Sequence, residues 1–462
     1  MIRINNKTGL CIGCLVIGAL FSFKWQHVIP KSPKVKPEEA YIPSGFIETK
    51  DIVYFDLDDQ GSKGTVEKVI SDYNKHIVGK VAGHTKQAAA KEEILDKEGK
   101  PLDWDLRMDI IHPKTSSKPR PVFFIVATQK DRNIPRHTPF QQIFAKRGYV
   151  TVIIDHAWSP IDKAFGDNSA KYTLESITGV KAYTAAVRYL RANSKKYSID
   201  PERIGGLGHS KGSYAISRLS DPSINHESSE RRGKIEPIGP QPNVKYPSHI
   251  QVGYQSMGNG TRSSRTYVKD NYAPTITAVG KYDSYNHWAV WPDVVAAYSE
   301  DRDANWLGIP MLDRGHDMAV GFQPDLGYTR EEAVEKFFSN YLEPKLPPCV
   351  LYVSPYNGQK NENIIKSDQT VAVHFSPQMD SVSVKNAVKV IETDTKKQVP
   401  GNWKALRKNT YFEFVPSSSK GFLQNKSYKV VIGTGAKSSH NVALSKPHEH
   451  TFMVNIGDDG SK

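Results

Sequence analysis

Cysteine is nearly absent from this chain: three in 462 residues, with Cys11 and Cys14 inside an N-terminal apolar run and only Cys349 beyond it. The rest of the chain therefore cannot close an internal disulfide, which excludes a small secreted scaffold held by such bonds. Long apolar runs are equally scarce. The one from about Gly9 to Phe23 is too short for an ordinary membrane span and suits a signal-peptide core. Export is the expectation, to the periplasm or the medium, or with an extracytoplasmic catalytic part held by an uncleaved inward-positive anchor. Glycine-rich dinucleotide and phosphate loops are missing, as is any clustered metal-ligand spacing, so neither cofactor nor metal is expected. A shortage of acidic residues leaves a formal charge of +13. The basic residues are interleaved with acidic ones along the whole chain and form no nucleic-acid motif, so nucleic acid is not an expected partner.

What is present is enough to fold: 38% hydrophobic and 10% aromatic residues over a length that suits two domains. A proline- and lysine-rich stretch, "VIPKSPKVKPEEAYIP", reads as a linker after the N-terminal segment. In "LDWDLRMDIIHP", Leu106, Met108 and Ile110 share one face while Arg107 and Asp109 take the other, the period of a strand. "RPVFFIVATQ" and "GYVTVIIDHAW" carry continuous apolar runs of the kind buried on both faces, separated by a short helix near Phe140 to Lys146. Strand, helix, strand opens an α/β parallel sheet. "VKAYTAAVRYLRANSKKYSID" places Val180, Tyr183, Val187 and Leu190 on one helical face, with Asn193 as a stop. "HIQVGYQSM" and "PTITAVGKYD" read as further strands, and "EEAVEKFFSNYL" as a closing helix. Between Ser44 and about Pro101 the pattern places no elements.

Three prolines in "LEPKLPPCV" mark a linker, beyond which the pattern alternates. Val371, Val373 and Phe375, then Val388 and Val390, Phe412 and Phe414, Tyr428, Val430 and Ile432, and Phe452, Val454 and Ile456 are short strands at turn-separated spacing. They indicate a β-sandwich. The expected organisation is a signal or anchor over 1–25, a linker over 26–45, a catalytic domain over 46–345 and a sandwich over 349–457. In "PHEH", His448 and His450 read as an exposed pair with no functional metal.

The chemistry concentrates in "RIGGLGHSKGSYAIS". A chain of this length shows Gly-x-Ser-x-Gly by chance about 0.15 times. Here Gly208 and Gly212 flank Ser210 between a short strand and a helix, the setting in which a serine is presented on a tight turn. A serine hydroxyl needs a histidine base, a carboxylate to orient it, and donors for the oxyanion. The order serine, acid, histidine is met by Asp283 just after the strand "PTITAV" and by His316 in "IPMLDRGHDM". Asp313 and Asp317 are alternatives for the acid, and His287 for the base. His209 is read as packing rather than as the base. The oxyanion donors expected are the backbone N–H of Lys211 and that of Thr128 or Gln129.

These residues carry a resemblance. "YSIDPERIGGLGHSKGSYA", with "LRMDIIHP", "RPVFFIVA", "GKYD" and "RGHDM", resembles the α/β-hydrolase fold, a doubly wound, mostly parallel sheet, and within it the dienelactone hydrolase and acetyl xylan esterase group. The resemblance covers roughly Leu102 to Tyr341 and implies a Ser210, Asp283, His316 triad. The usual His-Gly loop after the third strand is replaced by "ATQKDRN", and no cysteine nucleophile is present, which argues against dienelactone hydrolysis itself. The tail, through "VAVHFSPQMD", "YFEFVPSSSKGFLQNKSYKVVIGTGAKSSHNVAL" and "HTFMVN", is similar to the bacterial Ig-like domain of S-layer and other surface proteins, which implies a spacer or an adhesive module.

The expectation is an exported serine esterase whose partners are an ester substrate and, through the tail, a cell surface or polysaccharide. A peptidase or amidase on the same triad and a catalytically inactive surface-binding protein are the alternatives. The stretches Asp221–Ser248 and Ser256–Tyr272, with Arg262, Arg265, Tyr267 and Tyr272, are expected to shape a pocket for an acylated polysaccharide or a polyester.

Overall fold

The computed structural model describes residues 41–56, 105–115, 118–126, 138–155, 171–209, 211–220, 243–256, 273–280, 306–311, 326–355, 364–365, 371–419 and 421–454. Eight strands form the first sheet: β1 (Phe46–Asp56), β2 (Asp105–Pro113), β3 (Arg120–Val126), β4 (Val150–Ile154), β5 (Ile199–His209), β6 (Val252–Ser256), β7 (Thr275–Gly280) and β8 (Trp306–Met311). Their order is β1-β2-β4-β3-β5-β6-β7-β8. β2 runs antiparallel to β1 and β4, and every pairing from β4 through β8 is parallel. Helices α1 (Thr138–Lys146), α2 (Lys171–Ala192), α3 (Lys211–Leu219) and α4 (Arg330–Leu342) accompany it. An eight-stranded, mostly parallel sheet with β2 reversed is the α/β-hydrolase arrangement that the resemblance implied.

The apolar runs explain why β3 and β4 lie at the centre: Val122 to Val126 are at most 1% exposed, and successive side chains feed opposite cores. Val122, Phe124 and Val126 join Tyr183, Ala186, Val187 and Leu190 of α2 and Ala215, Ile216 and Leu219 of α3. Phe123 and Ile125 point the other way, against Phe140 and Phe144 of α1 and Val334, Phe337 and Phe338 of α4. At Gly205 a Cβ would stand 2.5 Å from the Phe338 ring, so the missing side chain lets α4 sit directly on β5. The buried Arg191 guanidinium donates to the carbonyls of Pro201, Pro247 and His249 and so fastens the chain entering β6; its burial lowers its pKa to about 10.

β1 is an addition to the sequence reading, which placed nothing there. Register irregularities between Thr49 and Ile52 and between Val53 and Phe55 break its period of two, and Asp51 takes a left-handed φ of 55°. Asp109, on the face opposite Met108, is buried, and its carboxylate accepts the Asp51 N–H at 2.9 Å.

The second part of the chain is a sandwich of two four-stranded sheets, formed by β9 (Cys349–Ser354), β10 (Ile364–Ile365), β11 (Val371–Ser376), β12 (Val388–Glu392), β13 (Gly401–Leu406), β14 (Tyr411–Pro416), β15 (Lys426–Ile432) and β16 (His448–Val454). One sheet is β10-β16-β15-β12 and the other β13-β14-β11-β9. The alternating apolar residues named from the sequence face the shared core, around Trp403 and Phe422; Ile456 lies outside the described residues. A short helix, α5 (Ser381–Ala387), capped by Asp380, was not anticipated.

Two expectations are corrected here. His448 and His450 are not exposed: they are 5% and 1% accessible, because β16 turns both inward in phase with Phe452 and Val454. The prolines of "LEPKLPPCV" do not form a free linker either. Leu342 ends α4, the Leu346 N–H returns to the Glu343 carbonyl, Asn340 Nδ2 donates to the Pro347 carbonyl at 2.8 Å, and β9 begins at once. The Cys349 thiol donates to Asn340 Oδ1, and burial pushes its pKa up to about 12, so it is an unreactive packing group.

Candidate active site

The candidate residues follow strands that end at one edge of the sheet, the C-terminal edge of the parallel strands, where open α/β sheets bind ligands. Across that edge Val126, Gly208 and Gln255 stand side by side on β3, β5 and β6, with Thr277 next on β7. The chain leaves β3 two residues before Thr128 and β5 immediately before Ser210. It leaves β7 three residues before Asp283 and β8 five residues before His316. Every one of these candidates thus follows a strand on the same edge. Ser210, Asp283, His316, Thr128 and Gln129 themselves lie outside the described residues, as do His287, Asp313, Asp317, 221–242 and 257–272.

The turn from β5 into α3 is built on two glycines in contact. A Cβ at Gly208 would overlap the carbonyl of Gly212, and one at Gly212 would stand 2.6 Å from the Val126 carbonyl oxygen. Any side chain at either position would force α3 away from β3 and β5. Ser213 Oγ closes the junction by donating to the Gly208 carbonyl at 2.8 Å. The single residue between strand and helix is residue 210. Lys211 is the first residue of α3, so its N–H has no carbonyl within the helix and lies at the positive end of the helix dipole. That is the position an oxyanion donor requires. His209, 1% exposed, is packed into the end of β5.

Beneath the edge runs a polar row that sequence patterning passed over as ordinary strand. Thr277 Oγ1 donates to Gln255 Oε1 at 3.3 Å, and both residues are fully buried. Among the described residues Gln255 Nε2 has no hydrogen-bond partner. Its only trace in the sequence is a polar letter at an inward position of an otherwise apolar strand.

Residues 108–221 match the BD-FAE family model, and residues 344–454 match the bacterial Ig-like domain model. The chain joins a BD-FAE-type esterase domain to a bacterial Ig-like domain. The esterase match spans β2 through α3 and includes the glycine turn. Among solved structures, the chain is similar to a truncated carbohydrate esterase from gut microbiota, at 14% identity and TM-score 0.38 over 56% of this chain and 99% of that one. It is also similar to Thermogutta terrifontis esterase 2 phosphorylated by paraoxon, at 13% identity and TM-score 0.39 over 55% and 93%. A bifunctional GH43-CE protein of Bacteroides eggerthii is similar at 15% identity and TM-score 0.40 over 54% and 38%. No curated protein matches the chain.

Proposed function

We propose that the protein is an exported serine hydrolase that cleaves carboxylic esters through an acyl-enzyme, acting on acyl groups of a polysaccharide or on a polyester. The observation that carries this reading is the Gly208–Gly212 contact, which leaves one residue, Ser210, between the edge of the sheet and the start of α3. Ser210 Oγ attacks the ester carbonyl while His316 takes its proton, and Asp283 holds the imidazole in the required orientation. The Lys211 N–H and a second N–H from Thr128 or Gln129 hold the oxyanion. The protonated His316 gives its proton to the departing alkoxide, and water, activated by the same histidine, then releases the acid. The apolar N-terminal run supports export, and so does the Ig-like domain, a type found on extracellular proteins. Through that domain the protein contacts a cell surface or polysaccharide.

Ser210→Ala is expected to lower kcat/KM on a short-chain aryl ester by about 10⁴-fold or more, with circular dichroism unchanged. Undiminished turnover would sink the reading. Labelling of Ser210 by a fluorophosphonate separates a working esterase from an inactive surface protein. Preference for aminoacyl anilides over esters would make it a peptidase.

A further inference from the structure

Two lysines crowd one tyrosine ring where the Ig-like domain meets α4. The Lys446 ammonium lies 4.7 Å from the centroid of the Tyr328 ring, and that of Lys336, on α4, lies 5.3 Å from it. The two charges therefore stand within about 10 Å of each other, the screening length at 0.1 M salt, and repel. Among the described residues no carboxylate pairs with either. The acids nearest in sequence are engaged elsewhere: Glu332 caps α4 with Thr329, Glu335 pairs with Arg147, and Glu449 with Lys429. The ring between the lysines is fixed in place. Leu326 is 2% exposed in the sandwich core, and Gly327 turns the chain with φ +72° and accepts from Lys446 Nζ at 3.4 Å. The Tyr328 hydroxyl meets Nε2 of the buried His448 at 3.2 Å.

Tyr328 lies toward the edge of the sheet at which β5 leads into residue 210. Arg203 Nη1 donates to the Leu342 carbonyl at 3.5 Å, and Gly205 faces the Phe338 ring, so two residues up β5 match four back along α4. Those steps are about 6.6 Å and about 6 Å, so the helix runs antiparallel to the strand. From Leu342 back to Tyr328 is about 20 Å, as is Arg203 to His209, which puts Tyr328 level with the end of β5. The Ig-like match also carries an excess of positive charge. Residues 344–454 hold fifteen Lys and Arg against seven Asp and Glu, more than half of the net +13.

We infer that Lys336, Lys446 and the edge of the Tyr328 ring form an anion subsite for a carboxylate of an acidic polysaccharide. This rests on the reading of the protein as an esterase of acylated polysaccharide, and narrows that substrate to one containing uronate residues. A carboxylate between the two ammoniums relieves their repulsion and accepts a charge-assisted hydrogen bond from each. A neutral chain gains neither. A polymer bound there and running along the sheet edge brings both the charge and the ester to the same side of the molecule.

The test measures binding on the full chain carrying Ser210→Ala, by calorimetry with polygalacturonate oligomers, and turnover on the unaltered chain with acetylated polygalacturonate and acetylated xylan. Lys336→Gln with Lys446→Gln is expected to weaken binding about tenfold and to narrow the preference for acetylated polygalacturonate over acetylated xylan by a similar factor. Lys389→Gln with Lys404→Gln, exposed on β12 and β13, removes the same charge and should keep both values within about twofold. Unchanged binding in the first pair, or an equal loss in both pairs, overturns the subsite. So does tighter binding to anionic phospholipid vesicles or duplex DNA than to the oligomers. The two readings fail separately. Oligomer binding that depends on the two lysines, with neither polymer hydrolysed, leaves the subsite and removes the esterase; Ser210-dependent turnover of an aryl ester without oligomer binding removes the subsite alone.

Discussion

The two faces of the eight-stranded sheet are closed in different ways. One is covered by α2 and α3, whose apolar residues all come from the esterase domain itself. The other is covered by α1 and α4 and completed by Cys349 and Leu351 of β9, so α4 lies between the sheet and the sandwich. Its two sides are occupied by different partners: Phe338 against Gly205 of β5, and the Phe337 carbonyl against Ser376 of β11. The first face folds with its own chain; the second shares its core with another domain. Domains that share an apolar core are expected to unfold together rather than to move independently.

In activity, the comparison is broken most severely at the glycine turn of the self-contained face. Gly212→Val drives a side chain into the Val126 carbonyl, and is expected to abolish ester turnover and to destabilise by about 3 kcal/mol. On the shared face, Phe338→Ala should cost about 3–5 kcal/mol and Leu351→Ala about 2–4 kcal/mol. Both should lower one calorimetric transition that includes the sandwich, and two independent transitions would show that the shared core is not cooperative.

Acid should act on the buried histidines of the Ig-like side. Burial, then Lys446 and Lys336, depresses the pKa of His448 to about 4, with a hydrogen bond at the Leu326 backbone opposing it. Burial, then Arg407, holds His374 well below its usual value, and neither ring nitrogen of His374 has a partner among the described residues. Folded, both imidazoles bind a proton less readily than unfolded, so the stabilisation is complete above about pH 6.5. It is lost as pH falls from there, reaching about 4 for His448. Melting temperature should drop between pH 7 and pH 5, and His374→Leu should flatten that slope without loss at pH 7. The smallest effect is expected from Tyr149→Phe, which removes a hydroxyl donating to Glu343 at 2.6 Å, about 1 kcal/mol by thermal melting.

The parts legible in the sequence were those whose signal is local. The runs of β3 and β4 are continuous because both faces are buried, and the strands of the sandwich alternate because one face meets a core. β1 was hidden by its two irregularities, which break the period on which recognition depends. β9 was hidden by the prolines before it and by burial on its outer face, where α4 replaces solvent. His448 and His450 looked exposed because histidine is polar; what buries them is Tyr328, 120 residues away in sequence, and the Pro355 carbonyl, 95 away.

By itself, the sequence determined the strand and helix that flank Ser210, the order along the chain of the proposed serine, acid and histidine, and the change from an α/β to an all-β pattern. Each is a matter of near neighbours, through side-chain period, the small residues a tight turn needs, or chain order. Only the tertiary structure decided that Gly208 and Gly212 touch, that α4 serves two domains, and that Leu326 is buried in the sandwich. Those contacts join residues far apart along the chain, and burial is a property of what packs against a residue, which its own letter does not carry.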